Sequence, residues 1–258
     1  MGKDTVILLC NLTDAMAQPW MDAGYRVIMV DPQHIVDSVD GLTSRLARTI
    51  VGAYPEIGAA IRQDRVAFVA GFPPCTDVAV SGARWFEVKR AKDPYFQAKA
   101  AIVAEQCRTV GELSGAPWFW ENPVSVFTNI FGPADEVFHP WQYSGHCADD
   151  YYTKTTCLRT GGGMVMPQHN YDRERYARGV AIKEENARRL KAAGGRLTEA
   201  DLLPNPDYPD NRIHMAPPGE ERGNIRSATP RGFAQAVFLA NAPHLRVAND
   251  NPITREAA

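Results

Sequence analysis

A chain of 258 residues has room for one large domain or a domain with an appendage, and 45% hydrophobic with 22% charged residues is the balance of a globular protein with a sizeable core. A formal net charge of −2 excludes a uniformly basic nucleic-acid coat, though not a local basic groove. No apolar run reaches membrane-spanning length and the N-terminus has no signal-peptide pattern, so no membrane partner is expected.

Taken in order, Val6–Cys10 is an apolar run of strand length. Asn11-Leu12-Thr13-Asp14 interrupts it, and Thr13 or Asp14 is a suitable cap for a helix running to about Ala23. Gly24 stops that helix, and Tyr25–Asp31 reads as a second strand ending in an acid. Strand, polar turn, helix and acid-tipped strand open a nucleotide-binding βαβ unit, in which the turn holds a ligand and the carboxylate takes ribose hydroxyls. The glycine fingerprint is missing, because Asn11-Leu12-Thr13 stands in its place, and a purely structural βαβ unit fits these residues equally well.

Pro32–Gly41 is polar and turn-rich, and a helix is expected from Thr43 or Ser44 to about Gln63, interrupted near Pro55. Val66–Ala70 reads as a buried strand, and Pro73-Pro74 forces the chain out of the sheet just before Cys75. A thiol presented at the carboxyl end of a strand lies where open α/β sheets bind ligands. The plainer alternative is a small buried cysteine beside a rigid turn. Ser81–Lys92 is expected to be a loop covering that site, and Asp93-Pro94 to start a helix ending at Gly115. Trp118–Trp120 is a short aromatic strand that delivers Glu121-Asn122-Pro123. Cys75 and Glu121 therefore occupy equivalent strand tips joined by one helix, and a right-handed crossover would place both on the same sheet edge.

These residues resemble the cytosine-5 DNA methyltransferases, particularly the short versions found in bacteriophage genomes. Pro73-Pro74-Cys75 is similar to the proline-cysteine nucleophile motif of that family, and Glu121-Asn122-Pro123 to its glutamate-asparagine motif, with proline where many members carry valine. Tyr143-Ser144-Gly145 with Lys154-Thr155-Thr156, and Ser227-Ala228-Thr229-Pro230 before the helix Arg231–Asn241, resemble two further segments more loosely.

The resemblance implies a class I S-adenosylmethionine-dependent methyltransferase, an α/β doubly wound Rossmann-like sheet with a short variable insertion. It implies transfer of a methyl group to carbon 5 of a cytosine flipped out of DNA. Cys75 would be the covalent nucleophile, Glu121 the group that hydrogen-bonds ring nitrogen 3 and the exocyclic amine, and Asn122 the residue positioning the loop. S-adenosyl-L-methionine would be held by Cys10, Asn11, Leu12, Thr13, Asp31, Pro73, Ser227 and Thr229. Substrate would meet Pro74, Arg84, Lys154 and Thr155, with Lys89, Arg90 and Lys92 near DNA phosphates or, equally, on a solvated charged loop.

Three alternatives keep parts of this reading: the same nucleophile acting on a free or modified pyrimidine nucleotide, a related sulfonium donor, or a non-catalytic nucleic-acid binder. The expected organisation is a catalytic core over residues 1–165, a target-recognition-like insertion over 166–224, a returning C-terminal helix over 225–246, and a disordered tail over 247–258. The insertion carries Arg173, Arg175, Arg178, Lys183, Arg188, Arg189 and Lys191 on a helix, which could equally be packing on the sheet. Five scattered cysteines (10, 75, 107, 147, 157) are not a disulfide framework and point to a cytoplasmic setting, that of the bacterial host if phage-borne. His139, His146, Cys147, Cys157 and His169 could in principle bind zinc, but their spacings match no compact finger and no metal is expected.

Overall fold

The strand Thr5–Leu9 (β1) is buried along its whole length because its side chains alternate between two apolar layers, Val6 and Leu8 entering one, Ile7 and Leu9 the other. A computed structural model, which describes residues 2–217, 219 and 222–244, places this strand near the middle of an eight-stranded, mostly parallel sheet. Its neighbours are Arg26–Val30 (β2) on one side and Val66–Gly71 (β5) on the other, both parallel to it. Thr43–Leu46 (β4) adds in parallel beyond β2, and Ser38–Asp40 (β3) closes that edge antiparallel. On the other flank Trp118–Pro123 (β6) lies parallel to β5. Thr156–Gly161 (β8) is antiparallel to β6, and Glu136–Phe138 (β7) forms the outer edge, giving the order β3-β4-β2-β1-β5-β6-β8-β7.

Helices cover both faces, which makes the architecture Rossmann-like and doubly wound. Trp20 from Gln18–Asp22 (α1) and Phe233, Val237 and Phe238 from Arg231–Asn241 (α8) fill the layer of Val6 and Leu8. Ile57 from Tyr54–Arg62 (α2) and Ala104, Cys107 and Val110 from Phe96–Ser114 (α4) fill the opposite layer. Strand order reverses between β1 and β5, so the crevice beyond their carboxyl ends is the topological switch point where such sheets take ligands.

Four local expectations change. The helix expected over 43–63 is a strand followed by a short helix, because the open edge of β2 recruits Thr43–Leu46 as a ladder partner and tertiary pairing outweighs local preference. Pro55 starts α2 rather than interrupting it, since the first turn needs no proline N–H. The first helix begins at Gln18, not near Thr13, and the Asp14 carboxylate instead takes a two-pronged hydrogen bond from Arg45 on β4, at 2.8 and 2.9 Å. Residues 80–92 are helical, a 3-10 turn over Val80–Trp85 continuing into Phe86–Lys92 (α3). The Asp93 side chain accepts from the Tyr95 N–H ahead of α4, which ends at Gly115 in the left-handed conformation (φ 61°).

The insertion folds as Arg173–Ala192 (α6), capped by Asp172, plus an irregular return. It docks through rings: Trp141 stacks on Tyr176 at 4.1 Å, and Arg175 lies 3.9 Å over the Tyr151 ring. Its return strand-like segment bonds to the core where Thr153 N–H reaches the Asp210 carbonyl at 2.7 Å. The helix expected after Pro230 is present as α8, and the tail expected over 247–258 lies outside the described residues. Among the described residues no helix is long and apolar enough to cross a membrane, and all five cysteines are free thiols.

Candidate active site

Beyond β5 a loop carries Cys75, and beside it β6 runs on to Pro123 with Glu121 and Asn122 in the strand itself. Gly71, the last residue of β5, pairs with Trp120, so Glu121 is the first residue of β6 beyond the end of the β5 ladder. Beyond the sheet the two segments pair again: Val80 N–H donates to the Val124 carbonyl at 3.0 Å and Val126 N–H to the Val78 carbonyl at 3.0 Å. This antiparallel clamp, centred on an Ala79–Ser125 bridge, fixes the thiol loop against the segment that follows the carboxylate-bearing strand. Within the clamp the Asn122 amide donates to the Pro73 carbonyl at 3.1 Å, and Lys89 bridges the Thr76 carbonyl (2.8 Å) and the Asp77 carboxylate (2.7 Å).

The electrostatics follow from that convergence. Burial raises the Cys75 thiol above its ordinary value, the Glu121 carboxylate raises it further, and Lys154 and Arg226 pull it back. Glu121 and Lys154 are both largely buried, side chains 12% and 10% exposed, with nitrogen and oxygen 3.7 Å apart. At that separation the pair is ionic contact without a tight hydrogen bond, and the buried Oε1 of Glu121 has no donor from the described residues. Tyr152 stands in the same neighbourhood, its phenol pushed upward first by burial and in part by Asp150 and Glu121.

Lys154 reaches this cluster because the 6-to-8 ladder sets Pro123 opposite Thr156, just after Lys154. Pro73 is buried beneath the loop, Pro74 is exposed on it, and Thr155 is half-buried beside Lys154. Arg84 is exposed and leans on the Trp85 ring at 5.2 Å, on the helical cover rather than in the cluster. Lys89 is occupied inside the loop and Arg90 pairs with Glu87, so neither is a free phosphate contact; Lys92 is exposed. Arg226, on Arg222–Ser227 (α7), and Tyr152 were not anticipated. Arg226 immediately precedes the Ser227–Pro230 segment, which was the available signal; nothing local distinguishes Tyr152.

At the switch point Asn11 is 4% exposed, and its Oδ1 has no donor among the described residues. Asp31, also buried at the tip of β2, spends Oδ1 on the Gln33 N–H at 2.8 Å, a local turn that fixes the carboxylate. Together they offer acceptors to a ligand carrying hydroxyl or amine donors. Cys10 adopts φ 53° and its thiol turns back to hydrogen-bond Cys107 in the core, so it brings backbone, not sulfur, to the crevice. Leu12 is half-buried and Thr13 exposed. The Ser227 hydroxyl is turned onto the Asn224 carbonyl of its own helix, and Thr229 is half-buried at the entry to α8. The entry of α8 is held by Asp150, whose buried carboxylate accepts the Gly232 N–H at 2.6 Å.

The histidines and cysteines at 139, 146, 147, 157 and 169 do not converge: among the described residues no group of three His, Cys, Asp or Glu side chains is placed to hold a metal ion. The arrangement at the sheet edge is therefore a thiol, a carboxylate and an ammonium beside a crevice that holds Asn11 and Asp31. No protein-family profile matches this sequence, and no curated protein is similar to it.

Proposed function

We propose that this chain is a class I methyltransferase that transfers a methyl group from S-adenosyl-L-methionine to carbon 5 of cytosine in DNA. One observation carries the reading: the donor-less buried carboxylate of Glu121 sits with the Cys75 thiol and the Lys154 ammonium at neighbouring strand tips. The donor set fits the cofactor, because Asn11 Oδ1 and Asp31 are acceptors at the switch point, suited to ribose hydroxyls and an amine. When bound, the cofactor supplies an electrophilic methyl group.

The residues of this chain would then divide the work. Cys75 gives its proton to solvent and its sulfur bonds to carbon 6 of the pyrimidine; the 5,6 double bond shifts to carbons 4 and 5, nitrogen 3 takes up the displaced pair with a proton, and the resulting enamine makes carbon 5 nucleophilic. Glu121 holds the proton at ring nitrogen 3 and accepts from the exocyclic amine, the donor its free Oε1 lacks. Lys154, a donor only, suits the ring carbonyl oxygen. After methyl transfer the carbon 5 proton leaves to a base, the sulfur–carbon bond breaks and the thiolate is regenerated. A cytosine in duplex DNA would have to leave the stack to reach this cluster.

A second reading, a free pyrimidine nucleotide as substrate, draws on the insertion. Arg178 pairs with Asp207, Arg188 and Arg189 with Glu185, and Lys183 with Tyr208, so these cations are already engaged locally rather than arrayed for phosphates. Trapping separates the two. DNA containing 5-fluorocytosine, with S-adenosylmethionine, should form a covalent complex that Cys75→Ala abolishes. A complex with 5-fluoro-dCMP alone would select the nucleotide reading, and none with either would defeat both.

A further inference from the structure

A polar cavity of about 350 Å³ opens between α4, β6 and β8, and its walls include neither Cys75 nor Glu121. The helix after β6, Phe127–Phe131 (α5), is only five residues long, so the sheet beyond α4 is walled by the turn from Phe131 to Asp135 rather than by a helix face. Arg159 stands directly opposite Trp120 in the β6–β8 ladder and lines the cavity.

Arg159 is 8% exposed, and its guanidinium lies over the Trp120 ring at 4.7 Å. One nitrogen donates to the Gly132 carbonyl at 2.6 Å, while Nε has no partner among the described residues. Among the described residues no carboxylate forms an ion pair with it, and Asp135 on the same wall spends an oxygen on the Thr160 N–H at 2.8 Å. The indole N–H groups of Trp118 and Trp120, both buried, also lack acceptors among the described residues. Among the described residues the guanidinium is thus a buried positive charge with no carboxylate in ion-pair contact, Asp135 acting on it only from farther off, and burial penalises a charge that lacks close pairing. Burial pulls this guanidinium below its usual value, which agrees with that geometry.

We propose that this cavity binds a small oxyanion, a carboxylate or phosphate group, with Arg159 as its counter-charge and the Trp118 and Trp120 wall against the rest of the molecule. The planar guanidinium fork matches such groups, and an aromatic platform accepts a flat or apolar body. Trp120 precedes Glu121 in β6, so an occupant would lean on the strand that carries the candidate acid.

Tryptophan fluorescence and thermal melting of the full chain, titrated with benzoate and separately with inorganic phosphate at constant ionic strength, test this. Wild type should show a saturable change with at least one anion, and Arg159→Met should weaken it by about tenfold or more. Saturation with benzoate alone identifies a carboxylate on an apolar body; saturation with phosphate alone identifies a phosphate group. No saturation with either anion, or equal responses in both proteins, overturns the proposal. Should Arg159→Met fail to fold, Glu112→Gln, an exposed wall residue, is the second variant. Removing its charge should tighten binding about twofold or more; unchanged affinity overturns the proposal.

Discussion

Asn122 donates its side-chain amide to the Pro73 carbonyl at 3.1 Å, so the residue beside the carboxylate holds the residue two before the thiol. This single buried bond links the tips of β5 and β6. Asn122→Ala should lose about 1–3 kcal/mol of stability, because the Pro73 carbonyl would be left without that donor. Limited proteolysis should cut the 73–80 segment faster than in wild type, and unchanged cleavage and melting would show that the clamp at 78–80 suffices alone.

Cys75 is held as a thiol by burial and by Glu121, and drawn towards thiolate by Lys154. Glu121→Gln should therefore lower its pKa and speed alkylation by iodoacetamide at pH 7.5, by about threefold or more. Lys154→Met should slow it, and in wild type the rate should still be climbing above pH 8.5. Rates read by mass spectrometry at Cys75 check this; identical rates in all three proteins would remove Glu121 and Lys154 from the thiol's surroundings.

The α8 helix enters the fold on the Asp150–Gly232 bond, and a Cβ at 232 would run into the Tyr143 carbonyl. Gly232→Ala should destabilise by about 1–3 kcal/mol, since backbone on both sides must shift. Asp150→Ala should lose about 1–2 kcal/mol with the cap. Burial raises the Asp150 carboxyl, so its contribution to stability is fullest below the unfolded pKa and falls as pH rises through the folded one. Asp150→Asn, which keeps an acceptor and drops the charge, should melt no lower than wild type at pH 8. Thermal melts at pH 5 and pH 8 measure all three.

His139 and His169 are both pulled below the ordinary histidine value, chiefly by burial, His214 adding to the first and Arg173 to the second. A depressed histidine contributes stability that is present above the unfolded pKa and lost as pH falls through the folded one. Stability should decline as pH drops from about 6.5, and a His139→Gln, His169→Gln double variant should show a shallower decline. Urea midpoints across pH 5–7.5 supply the comparison.

Much of the architecture was written in local pattern. The apolar runs of β1, β2 and β5 and the aromatic run of β6 are strands because each must fill both sides of a covered sheet, and prolines just after β5 and at the last residue of β6 mark where the chain leaves it. From those features alone Cys75 and Glu121 could be assigned to equivalent tips. What local pattern could not supply was anything that depends on a partner distant in the chain. Thr43–Leu46 is a strand because β2 had an open edge, the Asp14 carboxylate caps no helix because it is taken by Arg45, and Lys89 is spent on Asp77. Arg226 and Tyr152 join the site only when the returning segments pack beside it, and the cavity at Arg159 exists because α5 is short. Alternation and turn chemistry act between neighbours in sequence and are legible there, whereas charge pairing, burial and cavities are settled only when remote segments meet.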